Sequence, residues 1–246
     1  MSRIQGSLLL FAFLGGCATL PAPERDGYLE VVEGVSRITC HGSSLDGPFG
    51  SRLARSMMLM APGGERGAWV ETEARALIDA GREGTCQNVS TLWVREGASA
   101  PFVAFTQQPG WEGTNGNSLR LIDWSEDGKQ LLLELQTWTY PTDPVDPILL
   151  IYDASTRQVS QLPIAASLQA KYGSDCRARL EGTGFSDAGE VLITVAPFAD
   201  DSKPSCLPTA QTLAWSPREE SDGEFLPAQR PRTRSQVVAA PPRGEP

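Results

Sequence analysis

Three glycines, Gly67, Gly128 and Gly189, recur at equal intervals of 61 residues, each between two short apolar runs. This repeat constrains the fold more than any other feature, because a unit of about four strands cannot bury its own faces and its copies must shelter one another. The middle copy is the clearest. Its runs at 118–124, 130–138, 148–153 and 158–162 are rich in Leu, Ile, Trp and Tyr, and each is closed by Gly, Asp, Ser or Pro, the pattern of consecutive strands. The turn Glu126-Asp127-Gly128-Lys129 signals a hairpin, since glycine accepts the positive φ of a tight turn. A first copy is predicted from runs at 57–60, 68–71, 91–94 and 102–105, and a third from 179–185, 191–195, 212–215 and 224–226. Alternation over 28–40 predicts one or two strands ahead of the repeats. Short helices are predicted over 73–80, closed by Gly81, and over 164–172, closed by Gly173.

The middle turn carries a resemblance. Trp124-Ser125-Glu126-Asp127-Gly128-Lys129 resembles the Trp-Ser-Pro-Asp-Gly-Lys motif in propeller repeats of the TolB and dipeptidyl-peptidase type, and it is followed, as there, by a Leu-rich strand and a Leu-Ile-Tyr-Asp strand. Phe185-Ser186-Asp187-Ala188-Gly189 is a weaker copy, and the first repeat keeps only its glycine. The resemblance covers about residues 51 to 226. It implies an all-β, propeller-like array of about three four-stranded antiparallel meanders within a domain spanning 28–226. Closed rings use four to eight blades. Three units therefore leave three arrangements: a partial blade from 28–40, an open arc, or two chains completing one ring.

Ahead of the domain, Arg3 precedes the apolar run Leu8 to Leu14, which is too short to span a bilayer and reads as a processing signal over residues 1–16. Leu14-Gly15-Gly16-Cys17 resembles the lipobox of bacterial lipoproteins. The resemblance implies lipidation of Cys17, and Ala18 after it implies sorting to the outer membrane of a Gram-negative cell. Residues 17–27 then form a tether. The formal net charge of −9 becomes −10 once the leader takes Arg3 with it. Such a balance disfavours nucleic acid and charge-driven attachment to anionic lipid, so the anchor must be the lipid itself. At the other end, 227–246 turns to Pro, Arg, Gln and Ala and is predicted to be a disordered tail.

Four further cysteines, Cys40, Cys86, Cys176 and Cys206, are an even count in an exported chain and read as two disulfides with three connectivities open. Structural zinc is disfavoured because no two of them have short ligand spacing and His41 is the single histidine. In a meander, the loop between second and third strands shares an end with the connection entering the first strand. Cys86 and Cys206 are placed in the former kind of loop, and Cys40 and Cys176 in the latter. Cys40 with Cys86 and Cys176 with Cys206 are then the pairings that need no crossing of the domain.

No catalytic set is legible. A serine hydrolase needs a histidine base, and His41 is adjacent to Cys40. Gly184-Phe185-Ser186-Asp187-Ala188 lacks the closing glycine of a nucleophile elbow, and there is neither a phosphate loop nor a Cys-x-x-Cys motif. No metal or cofactor is implied. The loops at the cysteine-bearing end hold Trp111, Trp138, Tyr140, Asp143 and Asp146 among prolines, then Phe198, Asp200 and Asp201. Rigid aromatic platforms with fixed acids suit a sugar ring, a peptide or a cation. Equally, the aromatics could cap sheet ends and the acids be solvated. The leading expectation is a lipid-anchored envelope protein that binds a protein or glycan at this face. The alternative is an envelope hydrolase, or a subunit of one, using unidentified carboxylates.

Overall fold

The computed structural model describes residues 28–32, 37–41, 52–79, 82–109, 115–139, 147–173, 176, 178–198, 207–218, 221–227 and 235–241. β1 (Tyr28–Val32) and β2 (Arg37–His41) make a separate antiparallel hairpin. β3 (Arg52–Arg55), β4 (Met58–Met60), β5 (Arg66–Asp79), β6 (Arg82–Glu96) and β7 (Phe102–Gln107) build the first repeat sheet. The second is the meander β8 (Asn115–Trp124), β9 (Gln130–Thr139), β10 (Ile148–Asp153) and β11 (Gln158–Gln161). After helix α1 (Ile164–Tyr172), the third runs β12 (Ala178–Phe185), β13 (Val191–Pro197), β14 (Gln211–Arg218) and β15 (Ser221–Pro227). Finally β16 (Gln236–Val238) returns to pair with β4 at the edge of the first sheet. The fold is therefore all-β and antiparallel in three consecutive meanders.

The opening hairpin of each meander is built alike. In the second, the Ser125 N–H donates to Gln130 O and Gly128 N–H returns to Ser125 O, at 2.8 and 2.9 Å, with Gly128 at φ 64°. The third repeats this through Ser186, Glu190 and Gly189, at φ 81°. Both serine hydroxyls also accept an N–H where the outgoing strand begins, from Gln130 at 2.9 Å and from Glu190, just ahead of β13, at 3.1 Å. In the first meander the same bonds join Ala61, Arg66 and Gly64, with Gly64 at φ 74°. Gly64 is thus the counterpart of Gly128 and Gly189, and the first interval is 64 residues rather than 61. Gly67 instead lies buried in β5, where the Met58 and Met60 sulfurs each stand 2.8 Å from the place a Cβ would take. It was chosen for room, not for φ.

Three further expectations are corrected. Residues 73–79, read as helix, continue β5, which pairs β3 on one side (Leu53↔Glu73, Arg52↔Ala74) and β6 on the other down to Asp79↔Arg82. Strand pairing on two sides outweighs the weak helical preference of Ala, Leu and Glu. Cys86 accordingly sits in β6, opposite Ala76, and not in a loop. The predicted tail from 227 onward is not disordered at 236–238, which form β16. The helix over 164–172 is observed as α1.

Alternation along the middle sheet decides the packing. Leu131, Leu133, Leu135, Leu150 and Tyr152 join Val70, Leu92 and Val94 of the first sheet in one core. The intervening Leu132, Leu149 and Ile151 join Val191, Ile193 and Trp215 of the third sheet in another, closed by Ile164 and Leu168 of α1. Both faces of the middle sheet are covered, so three sheets stack in chain order. A fully buried Leu contributes about 1.5–3 kcal/mol, which makes these two layers the main source of cohesion. On the far face of the first sheet, Trp69 and Trp93 stack cross-strand with centroids 6.1 Å apart.

Candidate functional site

Because the strands alternate in direction, the opening hairpins and the 97–101 and 154–157 turns share one end of the stack. The other end is where β10 and β12 begin and β13 finishes. There, between the second and third sheets, lies a cavity of ≈ 310 Å³ lined by Ile148, Leu149, Leu168, Cys176, Leu180 and Phe198 among others. Helix α1 forms its floor. The helix starts after Pro163, whose carbonyl accepts both the N–H and the Oγ–H of Ser167 at 3.1 Å. It ends when the Gly173 N–H donates to Gln169 O and the chain turns at φ 104°, and the Cys176 N–H then donates to Gly173 O at 3.0 Å. This turn delivers Cys176 to the cavity wall, where it is buried. Trp215 Nε1 donates to Ser167 Oγ at 3.4 Å, fixing the helix to the third sheet.

Of the predicted binding-face residues, Trp111, Tyr140, Asp143, Asp146, Asp200 and Asp201 lie outside the described residues, as do Cys17 and Cys206. Phe198 lines the cavity. Trp138 is 9 % exposed, and its ring covers Gly116 on the neighbouring strand so closely that a Cβ there would come within 2.0 Å of it. Its indole therefore covers that glycine and is almost wholly enclosed. Cys40 lies on β2 opposite Leu29, and β2 packs against β6, the strand of Cys86. The aliphatic lining and the helical floor escaped the sequence reading, since they assemble from three elements whose alternation marks them only as core.

The hairpin end is polar. Glu96 bridges Arg157 at 2.6 Å and Arg66 at 3.6 Å, and the Arg157 guanidinium lies 4.7 Å over the Phe102 ring. Beneath them, the Tyr152 hydroxyl is buried without a hydrogen-bond partner, and burial, reinforced by Glu96, pushes its pKa up to about 12. Asp127 and Asp153 are held below the usual carboxylate range chiefly by the hydroxyls of Ser125 and Ser155. Buried acids elsewhere are engaged structurally: Glu134 accepts from Arg120 at 2.6 Å, Glu71 pairs with Arg55, and Asp123 accepts from Ser235. Among the described residues no cluster of three or more His, Cys, Asp or Glu side chains could hold a metal, and no helix is long and apolar enough to cross a membrane.

No protein family, curated protein or solved structure matches this chain. The class is therefore defined by its own architecture: an all-β protein of stacked antiparallel meanders with an apolar cavity at one end. That cavity offers contact surface and shape, and its described lining carries no acid or base.

Proposed function

We propose that the protein is a lipid-anchored component of the cell envelope, held in the outer membrane through Cys17, whose propeller-like domain binds an envelope partner at its cysteine-bearing end. The observation that carries the reading is the aliphatic cavity beside Cys176 and Phe198. Its lining suits the apolar side chains of a protein better than the hydroxyls of a glycan. Three stacked meanders support the propeller-like arrangement, because each covers a face its neighbour leaves open. Disulfides joining Cys40 to Cys86 and Cys176 to Cys206 would tie the strands at that end, each contributing about 3–4 kcal/mol in the chain-entropy account.

A photo-crosslinking residue placed at 198 in cells tests this, with the same residue at Ser99 in the opposite turn as control. The expected result is a protease-sensitive adduct of one defined mass from position 198 and none from 99. Adducts of equal mass from both positions, or none from 198, would overturn the reading. Mass analysis of the mature N-terminus checks the anchor separately: a diacylated Cys17 is expected, and an unmodified residue there would refute it.

A further inference from the structure

We propose that the cleft between the first hairpin and the C-terminal strand, at the opposite end from the cysteines, binds a fatty carboxylate. The cavity measures ≈ 610 Å³, within the range of ligand sites, about 300–1,000 Å³. Its apolar wall comes from Met58, Met60, Ala61 and Pro62. Met58 and Met60 alternate onto one face of β4, and the missing side chain of Gly67 lets both sulfurs fold over the same spot. Thioethers are flexible and polarizable, so they reshape around an alkyl chain at little cost.

The polar element is Arg95, which stands cross-strand from Gly67 and lines the same cavity. Arg55, Arg66, Arg120 and Arg157 each meet a glutamate. Arg95 meets none among the described residues, although the chain carries a net charge of −9. A lone guanidinium beside apolar surface favours one anion, and a carboxylate matches its fork with two parallel hydrogen bonds. One cation with an apolar wall thus specifies a monoanionic head on a hydrocarbon chain.

The third wall is the C-terminal segment, through Ser235, Gln236 and Val238. A ligand seated there touches both the first sheet and β16, so its binding must also strengthen the docking of that strand. This site is separate from the cavity beside Cys176, and its fate leaves the envelope-partner reading untouched.

The chain holds only four methionines, Met1, Met57, Met58 and Met60, so methyl-labelled methionine gives a direct readout with internal controls. The full-length protein is titrated with decanoate and, in parallel, with decanol and decyltrimethylammonium. The expected result is a saturable shift of the Met58 and Met60 methyl signals with decanoate while Met57, exposed beside the cleft, stays in place. Decanol and the cation should bind at least about tenfold more weakly, and Arg95→Gln should weaken decanoate by a similar factor. Hydrogen exchange at residues 236–238 should slow with decanoate bound. Unmoved Met58 and Met60 signals, or equal affinity for decanoate and decanol in the unmodified protein, would overturn the proposal whether or not the Arg95 variant folds.

Discussion

The indole N–H of Trp124 donates to the carbonyl oxygen of Leu59, 3.0 Å away, so a side chain of the second sheet is hydrogen-bonded to the backbone of the first. Trp124 is fully buried and meets Tyr152 edge-on, with ring centroids 6.2 Å apart. Replacing it by Phe removes the donor, leaves the Leu59 oxygen without that partner, and opens space in the layer between sheets. Trp124→Phe should cost about 2–4 kcal/mol, seen as a lower denaturation midpoint with an unchanged denaturant slope. A change under about 0.5 kcal/mol would mean that the two sheets are joined elsewhere.

How far the sequence discloses this architecture depends on whether the information is local. Ser125 and Gly128 encode their hairpin within six residues, by a hydroxyl that accepts the next strand's N–H and a backbone that takes positive φ. The second and third repeats are legible for that reason. In the first repeat, Gly63, Gly64 and Gly67 lie close together, and equal spacing cannot tell a glycine needed for its φ from one needed for room. Residues 73–79 have helical composition, and only their partners on β3 and β6 make them strand. Strand β16 hides among prolines and arginines because its register is set by Met58 to Met60, far upstream. The cavity beside Cys176 is harder still, since its walls belong to separate elements brought together by stacking.

The two roles of glycine separate by substitution. Gly189 has open space around it but sits at φ 81°, so Gly189→Ala should cost only the left-handed backbone penalty, about 1–2 kcal/mol. Gly64→Ala should match it, for the same two reasons. Gly128→Ala should cost more, because its Cβ would also press on Ala61 at 3.3 Å. Gly67→Ala should move the Met58 and Met60 methyl signals, which the other three leave in place. Equal spectra for all four variants would contradict the assignment of Gly64 as the repeat glycine.

Tyr152 predicts an alkaline limit. Its hydroxyl has no partner, and the fold keeps it neutral up to about 12, whereas the unfolded chain ionises near 10.0. Between these values the folded state holds more protons than the unfolded, so stability falls as pH rises through the window and is unaffected by this group below it. The loss by pH 12 should be about 2 kcal/mol. Tyr152→Phe removes the slope and, because it deletes an unsatisfied buried group, should leave neutral-pH stability unchanged or raised by up to about 1 kcal/mol. Urea denaturation at pH 8 and 11 distinguishes the outcomes, and a steep alkaline loss persisting in the Phe variant would assign it to other groups.

Ser235 fastens the returning strand to the middle sheet. Its N–H and hydroxyl both donate to Asp123 Oδ1, at 3.0 and 2.7 Å, and its hydroxyl oxygen accepts the Trp124 N–H at 3.2 Å. Asp123 is 1 % exposed, so the hydroxyl contact is sheltered from water. Beyond it β16 has only three residues, all exposed, and the next anchor is the bond from Arg55 to Pro241 O. Ser235→Ala keeps one donor to Asp123 but loses the other, and it removes the hydroxyl oxygen that accepts the Trp124 N–H. The variant should release 236–238 locally at a cost of about 1.5 kcal/mol, raising their hydrogen-exchange rates about tenfold. Exchange in the third sheet, and in the second sheet away from the Asp123 and Trp124 amides, should stay as it was. If the amides of 236–238 exchange at the original rate, pairing with β4 and the Arg55 contact suffice to hold the strand, and Ser235 is not its fastener.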